Sequence, residues 1–155
     1  MTIMNKDLND LLDLSPALLE APPFLKILGF KGASMAEDYT SFTCKFLPST
    51  DLTHSNGTIV QGGFVAGMLD ATMAQFMIVM SQGQRMPLTL DMTITYLLPC
   101  VPNQDIEVTS TIIKNGRSIV FAEAKLYQSN KLVALSSASN KMVDIIGKSE
   151  KAENP

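Results

Sequence analysis

Asp70 is the one formally charged residue between Asp51 and Arg85, and it lies inside an apolar run from Gly62 to Gln82. An acid in such surroundings costs free energy unless it is paired or put to use. A carboxylate held there can serve as a nucleophile or as a general base. The run opens with Gln61-Gly62-Gly63. A helix start offers free N–H groups and the positive end of the macrodipole, both of which favour developing negative charge. Glycines there allow close approach, so the amide of Gly62 or Gly63 is the natural oxyanion donor. At about 100° per residue, Gly63, Ala66 and Gly67 fall on the Asp70 side of the helix and leave a bare strip leading to the carboxylate. A plainer account fits too: Asp70 is a core acid tied to loop donors, and the strip lets a neighbouring element pack closely.

Other constellations are weaker. His54 is the only histidine, and a lone loop histidine reads as a surface group. Cys44 alternates with Phe42 and Phe46, which makes it a core cysteine. One histidine and two separated cysteines do not form a recognised zinc site, and no metal is expected. There is no G-x-S-x-G elbow, and Gln61-Gly62-Gly63 is not a phosphate-binding fingerprint. Met68, Met73, Met77 and Met80 read as core or interface filling, with a share in an apolar pocket open to some of them.

The elements that must position Asp70 follow from periodicity. Leucines crowd the segment before Glu20, and Ser15-Pro16 predicts an N-cap followed by a short helix. Ala21-Pro22-Pro23 ends it. Phe24–Leu28 predicts a second short turn closed by Gly29. Asp38–Leu47 alternates as a half-buried strand, with Phe42, Cys44 and Phe46 on one face. Pro48–Thr58 is a polar loop. In Gly62–Gln82 the apolar residues surround the axis, so the long helix is buried on most sides. From Leu88 the period becomes two: Leu88, Leu90, Met92, Ile94, Tyr96 and Leu98 alternate with Thr89, Asp91, Thr93 and Thr95. Ile106–Lys114, Arg117–Gln128 and Lys131–Val143 are three further strands. Asn115-Gly116 and Ser129-Asn130 turn between them. The pattern is one helix packed into an antiparallel sheet, an α+β arrangement.

Length and composition set bounds. The chain has 155 residues, which predicts one domain spanning 1–155, with 1–22 as a helical lead-in and 147–155 as a frayed tail. Hydrophobic residues make up 46% and charged ones 17%, an apolar balance that points to a large oligomer interface. The net charge of −3, without a basic cluster, argues against nucleic acid. Two cysteines make no disulfide framework, and with no signal-peptide pattern at Met1–Asn9 the expected compartment is the cytoplasm. Asp70 near the middle of the long helix argues against a membrane span.

The segment Val60-Gln61-Gly62-Gly63-Phe64-Val65-Ala66-Gly67-Met68-Leu69-Asp70 resembles the signature of hotdog-fold thioesterases of the PaaI-like group. Those proteins carry His-Gly-Gly or Gln-Gly-Gly before the long helix and an acid eight residues after the first glycine. Leu88–Pro99 looks like the family's next strand, Asn115–Ala124 like its following hairpin, and Pro23–Phe30 like its lead-in. The likeness covers roughly Pro22 to Met142.

The resemblance implies a hotdog fold, with an antiparallel β-sheet wrapped around one long central α-helix. It implies hydrolysis of an acyl-CoA thioester with no metal or organic cofactor, in a dimer whose sites lie at the subunit interface, commonly paired into a tetramer. Asp70 then attacks the thioester or activates water, with Gly62 or Gly63 receiving the oxyanion. Gln61 holds the substrate carbonyl or the water, or else caps the helix. Thr89 stands where the family has Ser or Thr to orient the attacking water from the partner subunit, and is otherwise one member of a solvent-facing stripe with Asp91, Thr93 and Thr95. Gly63, Ala66 and Gly67 line the substrate. The family's loop Asn falls at Ser55, with Asn56 one place on as the substitute. Two rival functions stay open: a dehydratase or hydratase that would need His54 as its base, and a non-catalytic acyl-CoA binding module.

Overall fold

The computed structural model describes residues 21–145. The Ser15-Pro16 helix and the tail at 147–155 lie outside the described residues. Helix α1 (Pro23–Ile27) is followed by strands β1 (Phe30–Met35) and β2 (Ser41–Phe46), then by the long helix α2 (Gly62–Met80). Strands β3 (Arg85–Tyr96), β4 (Ile106–Asn115), β5 (Ile119–Gln128) and β6 (Lys131–Asp144) complete the chain. One six-stranded sheet runs in the order β1-β2-β4-β5-β6-β3, with every neighbouring pair antiparallel. The expected α+β plan, a sheet around one long helix, is the plan observed.

Helix α2 forms where it does because both ends are signed. Gln61 caps the start by accepting the Gly63 N–H through its side chain. At the other end Gln82 and Gly83 take positive φ, and the Gly83 N–H returns to the Ile78 carbonyl, which closes the last turn. At 1.5 Å per residue its length is about 28 Å. It is long and apolar enough to cross a bilayer by those measures. Here its residues Val65, Met68, Leu69, Met73, Phe76 and Met77 are buried in the protein core. Phe76 stacks on Phe42 of β2 with ring centroids 5.8 Å apart. Burying each such side chain is worth about 1.5–3 kcal/mol.

Strand β1 is absent from the sequence expectations. Its residues Phe30-Lys31-Gly32-Ala33-Ser34-Met35 show no period of two, and the pairing with β2 is broken between Phe30 and Gly32. Edge position and small side chains remove the alternation that marks a strand. Gly29 enters it at φ +80°, where an added Cβ would strike the Leu47 carbonyl, so the turn requires glycine.

Strand β3 departs from expectation in a way that matters for the site. The register with β6 runs Leu88↔Lys141 and Thr89↔Asn140, then resumes at Asp91↔Ser139. Leu90 is the extra residue of a β-bulge. Along β6 the buried residues are Ala134, Ser136, Ala138, Asn140 and Met142, so these mark the helix-facing side. Before the bulge Pro87 and Thr89 lie on that side; after it Met92, Ile94 and Tyr96 do. The six apolar residues read as one stripe are therefore split. Leu88 and Leu90 are exposed, while Met92 and Ile94 pack against the core.

Candidate active site

The bulge explains what happens at Asp70. With Thr89 turned under the helix, its hydroxyl donates to the Asp70 carboxylate Oδ1 at 2.7 Å. Asp91, Thr93 and Thr95, the other members of the expected polar stripe, follow the bulge and face the opposite side of the sheet. Asp70 is half-buried on α2. No other side-chain donor among the described residues reaches it, so Thr89 is the partner that makes the acid tolerable there. Asp70 Oδ2 has no hydrogen-bond partner among the described residues.

At the helix start the two glycine amides have different fates. Gly63 gives its N–H to Gln61 Oε1 at 2.7 Å. Phe64 and Val65 give theirs to the Gln61 carbonyl. The Gly62 N–H meets no acceptor among the described residues, which singles it out as the free donor of the pair. Gln61 thus does cap the helix, and its side-chain NH2 is left exposed.

Tyr96 was not anticipated from the sequence. Its hydroxyl donates to the Gly62 carbonyl at 2.8 Å, and a Cβ on Gly62 would meet its ring at 3.3 Å. The glycine is what allows the ring to lie there, and the ring in turn pins the Gly62 peptide. The available signal was Tyr96 as the last residue of a strand whose phase could be followed only with the bulge in place. Beside this peptide is a cavity of about 320 Å³ lined by His54, Val60, Gly62, Val65, Tyr96 and Leu98, among others. His54 is exposed at its rim.

The remaining expected site residues are dispersed. A Cβ on Gly67 would lie 3.5 Å from the Leu28 side chain, so this part of the small-residue strip receives the turn after α1. Ala66 is half-buried beside it. Asn56 is exposed in the loop, and its Oδ1 accepts from both the N–H and the hydroxyl of Thr58. It closes its own turn and does not line the cavity. Among the described residues no cluster of His, Cys, Asp and Glu is placed to hold a metal ion. Cys44 and Cys100 are free and buried. Burial pushes the Cys44 thiol up to about 12, against a smaller opposing contribution from Thr72, and pushes Cys100 up to about 11. Neither is a nucleophile at neutral pH.

Asp70 and the Gly62 amide stand eight residues apart on one helix, roughly 12 Å along its axis. A single carbonyl group cannot touch both within one chain. Strand β3 meanwhile ends the sheet as an open edge, with Met86, Leu88 and Leu90 exposed along it. Leu97 and Leu98 continue the apolar surface.

Comparison with known proteins agrees with this architecture. Residues 50–140 match the family model of the acyl-CoA thioesterase N-terminal domain. Human acyl-coenzyme A thioesterase 13 is 26% identical over 136 residues, covering 86% of this chain and 93% of the relative. A thioesterase from Haemophilus influenzae superposes with a TM-score of 0.75 at 15% identity, covering 90% of this chain and 94% of that one. The PaaI protein of the E. coli phenylacetic acid degradation operon superposes with a TM-score of 0.71 at 13% identity, with coverage of 87% and 94%.

Proposed function

The chain belongs to the acyl-CoA thioesterase N-terminal domain family and is an acyl-CoA thioesterase of the PaaI-like hotdog kind, and from that premise we propose that hydrolysis runs through Asp70, Thr89 and the Gly62 N–H. The observation that carries the proposal is the 2.7 Å bond from Thr89 to Asp70. It fixes one carboxylate oxygen and leaves the other directed to take a proton from water. The water oxygen attacks the thioester carbonyl carbon as Asp70 accepts the proton. The Gly62 N–H, at the positive end of α2, receives the negative charge that forms on the carbonyl oxygen. The C–S bond then breaks, and the CoA sulfur leaves with the proton returned from Asp70. The exposed NH2 of Gln61 is a second donor for the carbonyl, and Gly63, lacking a side chain, leaves room beside it. The apolar cavity at Gly62 supplies a wall for the substrate.

The 12 Å between Asp70 and Gly62 assigns the two halves of one site to two copies of the chain. The proposed homodimer joins through the β3 edge, where backbone groups and exposed leucines are both available. Asp70 of one copy then works with Gly62 of the other.

The test is free-thiol release from short, medium, long and aromatic acyl-CoAs. Wild type is expected to turn over at least one class. Asp70→Asn is expected to lower kcat by about 1,000-fold, the range for losing a general base. Asp70→Asn hydrolysing at the wild-type rate would sink the assignment.

A further inference from the structure

The Asn140 side chain is buried, with 1% of the residue exposed, and its Nδ2 has no hydrogen-bond partner. Buried amides are almost always paired, and leaving one unpaired costs free energy. Two other orphans, the hydroxyls of Ser110 and Ser136, share the helix-facing side of the sheet. Their register neighbours are Phe42, Ala124 and Ile94, whose side chains offer no hydrogen-bonding group. Asn140 differs. It sits on the strand next to the sheet edge, between Val120 of β5 and Thr89 of β3, in register with both. Thr89 is the residue whose hydroxyl holds Asp70.

Directly opposed residues on one face of an antiparallel pair have Cβ atoms about 4.5–5.5 Å apart. An Asn amide and a Thr hydroxyl at that spacing meet through side-chain rotation alone. A hydroxyl offers one donor and two acceptor lone pairs. Thr89 spends its donor on Asp70, so its oxygen is free to accept. Chains of this kind strengthen each member.

We infer that Asn140 is a positioning residue for hydrolysis: its amide donates to Thr89 Oγ1, which holds the Thr89 proton on Asp70 and so fixes the direction of the acid. This rests on the proposed role of Asp70. Asn140 touches no reacting atom; its effect passes through Thr89. The bulge is part of the same device, since only with Leu90 looped out does Thr89 face Asn140's side of the sheet.

Asn140→Leu removes the amide and keeps a similar shape. A purely structural Asn140 predicts no kcat effect beyond the folded fraction. The inference predicts, in the folded fraction, a kcat lowered about tenfold with KM unchanged. In a Thr89→Val background Asn140→Leu is expected to cause no additional loss, because the two act in series. Asn140→Ala carries the same test without added bulk. Wild-type kcat in both Asn140 variants, or the same fractional loss with and without Thr89, would overturn the inference. Asp70→Asn run alongside separates the two levels. An active Asp70→Asn removes the underlying site, whereas an inactive Asp70→Asn with wild-type Asn140 variants removes only Asn140's role.

Discussion

Thr89 reaches Asp70 across 2.7 Å because the residue after it, Leu90, is looped out of the β3–β6 ladder. The bond ties a helix to an edge strand through the one acid in the apolar run. Replacing Thr89 by Val keeps the branched shape and removes the donor. The expected result is a kcat lowered about tenfold with little change in KM, since one hydrogen bond to the working carboxylate is lost. Thr89→Ser is expected to retain most of the activity. Thiol-release kinetics on the two variants check this, and equal activity in Val and Ser would show that the hydroxyl is idle.

Deleting Leu90 tests whether the bulge acts only by setting register. The ladder pairs Thr89 with Asn140 and Asp91 with Ser139, so removing the extra residue between them gives a regular ladder with Thr89 still opposite Asn140 on the helix-facing side. The sheet should persist, because the pairs on both sides of the bulge are unchanged. The deletion is therefore expected to keep the circular dichroism spectrum and to retain most of the activity in thiol-release kinetics. A folded deletion variant with activity at the level of Thr89→Val would show that the looped-out residue itself, and not the register alone, aims the Thr89 hydroxyl.

The parts of the fold legible in the sequence are those where side-chain pattern and backbone agree. Phe42, Cys44 and Phe46 alternate and are all buried. Asn115-Gly116 marks the β4–β5 turn, and the apolar run with no single polar face became the central helix. Strand β1 was not legible, because Gly32, Ala33 and Ser34 are too small to show a buried side. In β3 the alternation was real but misleading: hydrophobicity continues through Leu88, Leu90 and Met92, and nothing in residue type marks which of them bulges. Exposed leucines on an edge look the same as core leucines until the partner strand is known. For the same reason Asp70 and the glycines could be found from spacing, whereas the bond from Thr89 and the seat of Tyr96 on Gly62 required the three-dimensional register. Gln61 carried two readings in the sequence, and its cap on Gly63 is a local interaction that spacing alone does not separate from a substrate contact.

The buried thiols give a pH dependence with a definite sign. Cys44 and Cys100 have an ordinary value of 9.0, raised by burial to about 12 and about 11 in the fold. The native state therefore keeps both protons at a pH where the unfolded chain releases them. Their contribution is fully present below about pH 9 and is lost as pH climbs toward 11 to 12, at up to about 1.4 kcal/mol per pH unit for each thiol. The Tm is expected to fall between pH 9 and 10.5, and to fall less steeply in a Cys44→Ala, Cys100→Ala variant. Parallel curves would show that these thiols do not set the alkaline limit. Iodoacetamide at pH 8 is expected to leave both cysteines unmodified in the folded protein.

The open edge of β3 supplies the last test. Leu88 is 47% exposed and points away from the helix, at a position where no intrachain contact needs it. A lysine on an edge strand discourages pairing with another copy, because a charge would have to be desolvated at the join. Leu88→Lys should leave the core intact, since Met92 and Ile94 carry the packing of this strand. Light scattering coupled to size exclusion is expected to show the wild type as a dimer or larger and Leu88→Lys as a monomer. If Asp70 and Gly62 serve one substrate from two copies, the monomer loses turnover even though its own Thr89–Asp70 bond is unaltered. Adding Asp70→Asn to Leu88→Lys should then lower activity no further. A fully active monomer would require both groups to work within one chain, which the roughly 12 Å of helix between them does not allow for a single carbonyl, and the shared-site proposal would have to be replaced.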